Sequence, residues 1–440
     1  MPDGSGFPLP RDLAIDDELF RILHGMPRDE YQLTHNYREL DHRLDGRGEQ
    51  FNRLAEVLTE QIATTSAAER TRRNRLAAHT RIVLANVIST VFRDRITAIS
   101  YSRRPNEYCR RYTGPVTHRG LIPVVDGMTE LGYLRAYPGY RRFDGARRSR
   151  IRATEKLSGL VFDEHKLNPG HLIRDNTPPE SIILRNADKD DIDYEDTPAT
   201  RDMRRVLDAY NEFLRGSDIR LADERPDSVL PWYPHVRRIF NEAFESGGRF
   251  YGPWSWWPKR VRPFIRINGA RTVELDYAAT VLHQVYSLAG ADYYHNRARD
   301  DDPYAVPGFE FVPRSERKMA FLYMLNTPSE PEAIRLIDRH GIPADVPDYD
   351  TRELVTAIRR KHEPIDAWFY RENACHLQFL DSQVCERIIR DCMRENVVVL
   401  TIHDSFIVED RHAEFLHDLM IRAWREKGLC SVPKITIERG

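Results

Sequence analysis

Apolar residues recur at helical spacing in FNRLAEVLTEQI and again in RLAAHTRIVLANVISTVF, so residues 11 to about 100 are expected to be mainly helical. In VTHRGLIPVVDGMTELGYL, an apolar face runs through Leu121, Val124, Val125, Met128 and Leu131, with Thr117 as a start signal and Gly132 as a stop. The period then changes. YLRAY and SRIRATE alternate, Pro138 and Gly139 turn the chain, and FDGARR loops between them, which predicts two strands joined by an arginine-rich hairpin. LNPGHLIRDNTPPES has the Pro and Asn punctuation of a linker, DKDDIDYEDTP reads as a solvated acidic loop with no assigned role, and ATRDMRRVLDAYNEFLRG reads as a helix. Beyond residue 247, TVELDY reads as a short strand that leads into a helix, AATVLHQVYSLAG, with Leu282, Val285 and Leu288 on one side. RSERKMAFLYMLN is a further helix. VVVLTI and FIV are strands separated by the tight turn HDS, which sets Asp404 at the end of a hairpin.

Composition narrows the class without naming a partner. With 41% hydrophobic and 30% charged residues over 440 positions, the chain is neither collagen-like nor fully disordered, and no apolar run reaches the roughly 18 residues of a membrane-spanning helix. No secretory pattern marks MPDGSGFPLPRD, so an intracellular, cytoplasmic protein with no membrane partner is expected. Five cysteines lack any CxxC or zinc spacing, and an odd count suits a reducing compartment. The net charge of -2 conceals an uneven distribution. Residues 101 to 156 hold 13 Arg or Lys against 5 Asp or Glu, a local surplus that points to phosphate contact.

A helix followed by a basic hairpin resembles the winged helix-turn-helix fold, in which the helix enters a groove and the wing touches phosphates. The resemblance implies nucleic-acid contact by Arg119 on the helix and by Arg141, Arg142, Arg147 and Arg148 on the wing. A solvated basic face or a protein-interaction module would carry the same residues.

The chemistry lies further on. Asp276 and Asp404 each end a buried strand, and two such carboxylates can converge to hold a pair of divalent ions roughly 3.5 to 4 Å apart for phosphoryl transfer. Taken singly, Asp276 would serve equally as a helix cap and Asp404 as a turn residue. Arg314 and Lys318 stand one helical turn apart, so both cations share a face that suits a triphosphate.

These segments, in this order, resemble the palm and fingers of the family A DNA polymerases and the single-subunit phage and mitochondrial RNA polymerases. DYAATVLHQVYSLAG resembles motif A, RSERKMAFLYMLN motif B with its Arg-xxx-Lys spacing, and IHDSF motif C, where Ser405 matches the RNA polymerase form. The resemblance implies that Asp276, Asp404 and the backbone at Tyr277 bind two magnesium ions, with manganese as a substitute, and that Arg314 and Lys318 neutralise the nucleoside triphosphate. GGRFYG resembles the segment whose arginine touches the template-primer minor groove, which makes Arg249 a duplex contact. Gln378 in ENACHLQFLDSQV and His403 before the motif C aspartate inherit similar roles, whereas His376 reads as a packing residue. Val281 stands where the DNA enzymes place a glutamate that excludes ribose, and Asn326 where both branches place a tyrosine. Weak discrimination between deoxyribonucleotides and ribonucleotides is therefore expected.

The resulting expectation is an α+β chain: an N-terminal helical region (1–74), a winged-helix-like nucleic-acid-binding domain (75–156), a linker and helical thumb-like segment (157–235), and a right-hand polymerase-like palm and fingers (236–440). Its function would be nucleotidyl transfer to a 3′-hydroxyl, as in a DNA-templated DNA polymerase of a mobile element or phage. Two alternatives carry the same motifs: a winged-helix replication initiator or regulator with a catalytically silent polymerase-like half, and a template-independent nucleotidyltransferase.

Overall fold

A computed structural model of the chain describes residues 37–64, 70–93, 97–142, 145–175, 179–222, 234–256, 259, 262–340 and 347–439. The fold is α+β and divides into two compact units. The first comprises residues 1–180 with short pieces at 190–193 and 223–232; the second comprises 181–189, 194–222 and 233–440. The stretch 11–36 of the expected helical region and the Phe143–Asp144 loop tip lie outside the described residues.

In the first unit, helices Glu49–Thr64, Arg70–Arg93 and His118–Glu130 share one apolar core with a small sheet. The sheet order is Tyr37–Glu39, Ala98–Tyr101, Ser149–Ala153, Leu134–Tyr137. Residues on either side of position 75 belong to this core, so the expected 1–74 and 75–156 regions are packed as one body. Helix His118–Glu130 buries Leu121, Val124, Val125 and Met128, the face the spacing predicts. Its start is capped from outside. His79, 3% exposed, accepts from the Thr117 amide at 3.0 Å through Nε2, while its Nδ1 lies 2.7 Å from the Arg75 carbonyl. A neutral imidazole with its proton on Nδ1 satisfies both contacts. Gly120 is required beneath it, since a Cβ there would lie 2.2 Å from the His79 ring. The hairpin Tyr140–Arg142/Gly145–Arg147 follows, with Tyr140 paired to Arg147.

One expectation is corrected here. The stretch from Leu167 onward is not a free linker: Leu167 and Leu172 are buried in the core, and Leu172–Arg174 pairs antiparallel with Leu44–Gly46. Asn168 and Pro169 build a local turn, in which Asn168 caps Pro169–His171.

The second unit is built on a mixed sheet in the order Ile182–Arg185, Arg237–Asn241, Ala243–Tyr251, Leu400–Ile402, Ser405–Glu409, Ala270–Tyr277, Ile265–Ile267, Ile219–Leu221, with Ile435–Arg439 also paired to Ala270–Tyr277. The helix Pro198–Arg215, expected to lie in a separate linker segment, belongs to this unit and donates from the Tyr210 hydroxyl to the Val399 carbonyl at 2.5 Å. Between the central strands the chain inserts a helical lobe, formed by Thr280–Leu288, Arg314–Asn326, Glu330–His340 and Thr351–Lys361 around an apolar cluster of its own.

A buried guanidinium fixes the long helix Ala374–Arg394 to the sheet. Arg238, 3% exposed, donates to the Gly248 carbonyl at 2.8 Å, the Glu386 carboxylate at 2.6 Å and the Ser382 hydroxyl at 3.0 Å. Close approach of helix and strand at Gly248 makes this possible: φ is +74 there, and an added Cβ would meet Phe240 at 2.7 Å and Ser382 at 3.1 Å. Because Glu386 and the Gly248 carbonyl would lose their buried donor, Arg238→Ala is expected to destabilise the fold by about 3 kcal/mol, read as a lower urea midpoint at constant slope.

Candidate functional site

The strand Ala270–Tyr277 and the hairpin strand Ser405–Glu409 run antiparallel, with Asp276 opposite Ser405. That register brings Asp276 beside the turn that carries Asp404, and the Tyr277 amide donates to the Asp404 carbonyl at 3.3 Å. Thr280, in the first turn of the helix after the strand, donates to the Asp404 carboxylate at 2.7 Å and to the Tyr277 carbonyl at 2.9 Å. Asp404 is thus oriented by a side chain three residues beyond Tyr277.

Two non-glycine residues adopt left-handed backbone around the pair: Ala279 with φ +57 and His403 with φ +58. Each costs about 1–2 kcal/mol relative to an ordinary conformation. Such strain clusters where a local geometry is over-determined by its surroundings. Here it lets the chain turn from strand to helix in two residues on one side, and between strands in two residues on the other.

Electrostatics distinguishes Asp276 from an ordinary surface acid. Burial, the neighbouring Asp404 and then Glu274 push the Asp276 carboxyl up to about 7, against the smaller opposing pull of Lys259 and Lys318. No donor among the described residues hydrogen-bonds the Asp276 carboxylate, although Asp276 is largely buried. Asp381, 4% exposed, is a third acid in this field: burial lifts it to about 7 despite Arg249, and Asp404 adds to the lift.

The other expected residues fall as follows. Lys318 is exposed and acts on Asp276 through space. Arg314 and Lys318 sit over the Tyr304 ring, 5.1 and 6.0 Å from its centre. The Tyr277 ring is buried, and its hydroxyl donates to the Met420 carbonyl at 2.6 Å, while its backbone amide meets the Asp404 carbonyl. Arg249 is not a free cation. Its Nε donates to Asp381 at 3.0 Å, which joins strand Ala243–Tyr251 to the long helix. Gln378 lies one turn before Asp381 on that helix. His403 sets its ring edge-on to Tyr251 at 5.1 Å; burial and then Arg249 lower its basicity, against the opposing Asp404. Val281 is partly buried against the apolar cluster of the helical lobe. Asn326 is exposed at the end of its helix, about 12 Å of helical rise from Lys318.

Unit one places its arginines more modestly than the sequence count implies. Arg119 is exposed and forms no ion pair among the described residues. Arg141, Arg142 and Arg147 lie on the two strands of the hairpin. Arg148 instead pairs with Glu107 at 2.6 Å. Arg103 binds Asp126 through two 2.8 Å contacts, Arg104 meets Asp190 at 3.5 Å, and Arg111 binds Asp193 at 2.7 Å and Glu180 at 3.2 Å. The acidic loop that received no role supplies Asp190 and Asp193. Much of the local positive surplus is therefore neutralised inside the unit.

The oxygen donors present, the carboxylates of Asp276 and Asp404 with the backbone at Tyr277, are of the type that suits a hard divalent cation once Asp276 is ionised, and the Asp276 carboxylate has no hydrogen-bond donor among the described residues. Among the described residues no group of three or more His, Cys, Asp or Glu side chains could hold a metal ion alone. No family model matches the chain. No curated protein matches it either.

Sequence spacing could have found Glu274, which shares the Asp276 face by the two-residue period of a strand. Its carboxylate accepts from Ser405 at 2.7 Å and from Arg262 at 2.8 Å. Thr280 and Asp381 stand inside segments already singled out, but only tertiary contact shows what they touch.

The raised pKa of Asp276 makes stability depend on pH. Folded Asp276 retains its proton to about pH 7, whereas the unfolded group releases it near 3.8, so wild-type stability falls as pH rises between those values and levels off above them. Asp276→Asn is expected to be more stable than wild type by about 2 kcal/mol at pH 8 without metal, with the gap closing toward pH 4 and narrowing when magnesium is added. Denaturant titrations at both pH values check this.

Proposed function

We propose that the second unit is a nucleotidyltransferase of the right-hand polymerase type, with Asp276 and Asp404 as its metal-binding carboxylates and Arg314 and Lys318 as its triphosphate cations. The observation that carries the reading is the backbone pairing of Asp276 with Ser405, which sets Asp276 beside the turn that carries Asp404, partly buried and within the field of Lys318.

Bound divalent ions would supply Lewis-acid activation of the attacking 3′-hydroxyl and charge neutralisation at the leaving pyrophosphate. The chain's own residues do the rest. Thr280 holds one Asp404 oxygen and leaves the other available. Lys318 stands near enough to Asp276 to balance negative charge that gathers at the site, and Tyr304 supports both motif B cations from below. Arg249, tied to Asp381, stiffens the floor beside the hairpin and is positioned for duplex contact only through its remaining amino groups. The first unit, as a winged-helix-like body with Arg119, Arg141, Arg142 and Arg147 on its helix and hairpin, is the nucleic-acid-binding part of this reading. An initiator or regulator with a silent second unit is the other reading, and the unshielded carboxylate of Asp276 favours the active one.

Primer extension separates them. With magnesium, wild type is expected to extend a 3′-hydroxyl primer on a template, using deoxyribonucleotides and ribonucleotides in separate reactions, and Asp404→Ala is expected to lose at least about 10³-fold in rate while retaining its fold by circular dichroism. Extension without template would mark a terminal transferase. No incorporation by wild type under any of these conditions, with DNA binding retained, would sink the proposal and leave a binding protein.

A further inference from the structure

The chain between helices Thr280–Leu288 and Arg314–Asn326 runs through more than twenty residues without a regular element, yet it is pinned at many points. Loops of that length in a compact domain are usually functional or disordered, and this one is not loosely held. Lys361, whose side chain is 10% exposed, donates to the carbonyls of Asp302 at 2.7 Å and Ala305 at 2.6 Å. His362, 1% exposed, has Nε2 3.1 Å from the Pro303 carbonyl and Nδ1 3.0 Å from the Tyr286 hydroxyl. Arg297 joins the Tyr293 carbonyl at 2.8 Å to the Lys361 carbonyl at 3.0 Å. Asp302 is therefore a fixed point. Its Oδ1 also accepts from the Tyr304 amide at 3.1 Å, which locks the side chain onto its own backbone.

From this fixed point Asp302 reaches Arg314 in a particular way. Both carboxylate oxygens accept from Nε, at 3.1 and 3.0 Å, while the guanidinium carbon stands 5.1 Å above the Tyr304 ring. Among the described residues neither terminal amino group of Arg314 has a hydrogen-bond partner. A guanidinium held by its inner nitrogen and one face keeps its outer donors free for phosphate, and it has lost in advance the rotamer freedom that binding would otherwise remove. Burial pushes the Asp302 carboxyl up, but Arg314, the Tyr304 amide and Lys361 outweigh it, so Asp302 stays ionised and keeps its hold.

We infer that Asp302 is a positioning residue for triphosphate binding, acting through Arg314 and anchored from behind by Lys361. The inference rests on the polymerase reading, because that reading makes the free amino groups of Arg314 a phosphate contact. It also goes beyond that reading, because it assigns an affinity-setting role to an acidic residue in an irregular loop. The rival expectation for a carboxylate beside a phosphate-binding arginine is competition, in which its removal would strengthen binding. Geometry favours positioning, since the carboxylate occupies the inner nitrogen and leaves the outer ones open.

The test is a double-mutant cycle on the full chain. Asp302→Ala is expected to raise the dissociation constant for inorganic tripolyphosphate, measured by titration calorimetry in EDTA, and the KM for nucleotide in primer extension, each by about 3- to 10-fold, with kcat within about twofold of wild type. Asp302→Asn, which keeps an acceptor oxygen, should fall between. In an Arg314→Ala background, Asp302→Ala should add nothing, because its effect passes through that arginine. Tripolyphosphate binding that Asp302→Ala leaves unchanged or strengthens overturns the inference alone. Equal losses in both backgrounds overturn it as well, since they mark a structural role. Failure of wild type both to bind tripolyphosphate and to extend a primer overturns it together with the polymerase reading.

Discussion

The second unit is organised around one constraint: the carboxylate at the end of one strand and the carboxylate in the adjoining hairpin turn are kept near each other in a partly buried place, where burial and then Asp404 disfavour the ionisation of Asp276. Asp276 sits opposite Ser405 in an antiparallel ladder, and Asp404 occupies the adjoining turn. Backbone hydrogen bonds hold this register, so the repulsion is met by the sheet as a whole rather than by any single side chain. The strained residues Ala279 and His403, the Thr280 bond to Asp404 and the inward-facing Tyr277 ring all follow from placing a strand end, a helix start and a hairpin turn at one point. On the reading proposed above, a divalent cation would relieve the unfavourable field that Asp404 and Glu274 exert on Asp276.

Cations are rationed around the acids in a complementary way. Arg249 is committed to Asp381, Arg262 to Glu274 and Arg238 to Glu386, each tying a helix or loop to the sheet. Among the described residues Lys318 has no ion-pair partner, and the hydrogen bonds of the Arg314 guanidinium are made by Nε. Arg249, Arg262 and Arg238 are therefore bound to acids, while Arg314 and Lys318 stand over the Tyr304 ring. The first unit shows the same economy: Arg103, Arg104, Arg111 and Arg148 are bound to acids, and Arg119 is left free among the described residues.

What the sequence made legible was local. The apolar face of His118–Glu130, the helices Thr280–Leu288 and Arg314–Asn326 and the hairpin bearing Asp404 were readable because local spacing or a tight turn dictates them. The Asn268–Gly269 turn, with φ of +51 and +79, was an equally strong hairpin signal and passed unused; it joins Ile265–Ile267 to the Asp276 strand. Other features were not local. Leu167 and Leu172 look like part of a linker until Leu172–Arg174 is seen to pair with a strand more than a hundred residues earlier. Counting charge in residues 101 to 156 overstated the basic surface, because the neutralising Glu180, Asp190 and Asp193 lie outside that window. Asp381 and Asp302 carry no motif at all, and their meaning comes only from what they hold.

The central claim is that Asp276 and Asp404 belong to one cation site completed by a triphosphate. Titration of the chain with manganese, followed by electron paramagnetic resonance in the presence of a non-hydrolysable nucleoside triphosphate, tests it most directly. The account expects about two bound ions per wild-type chain, and loss of the protein-dependent binding in both Asp276→Asn and Asp404→Asn. Identical titrations for wild type and the two variants would contradict it.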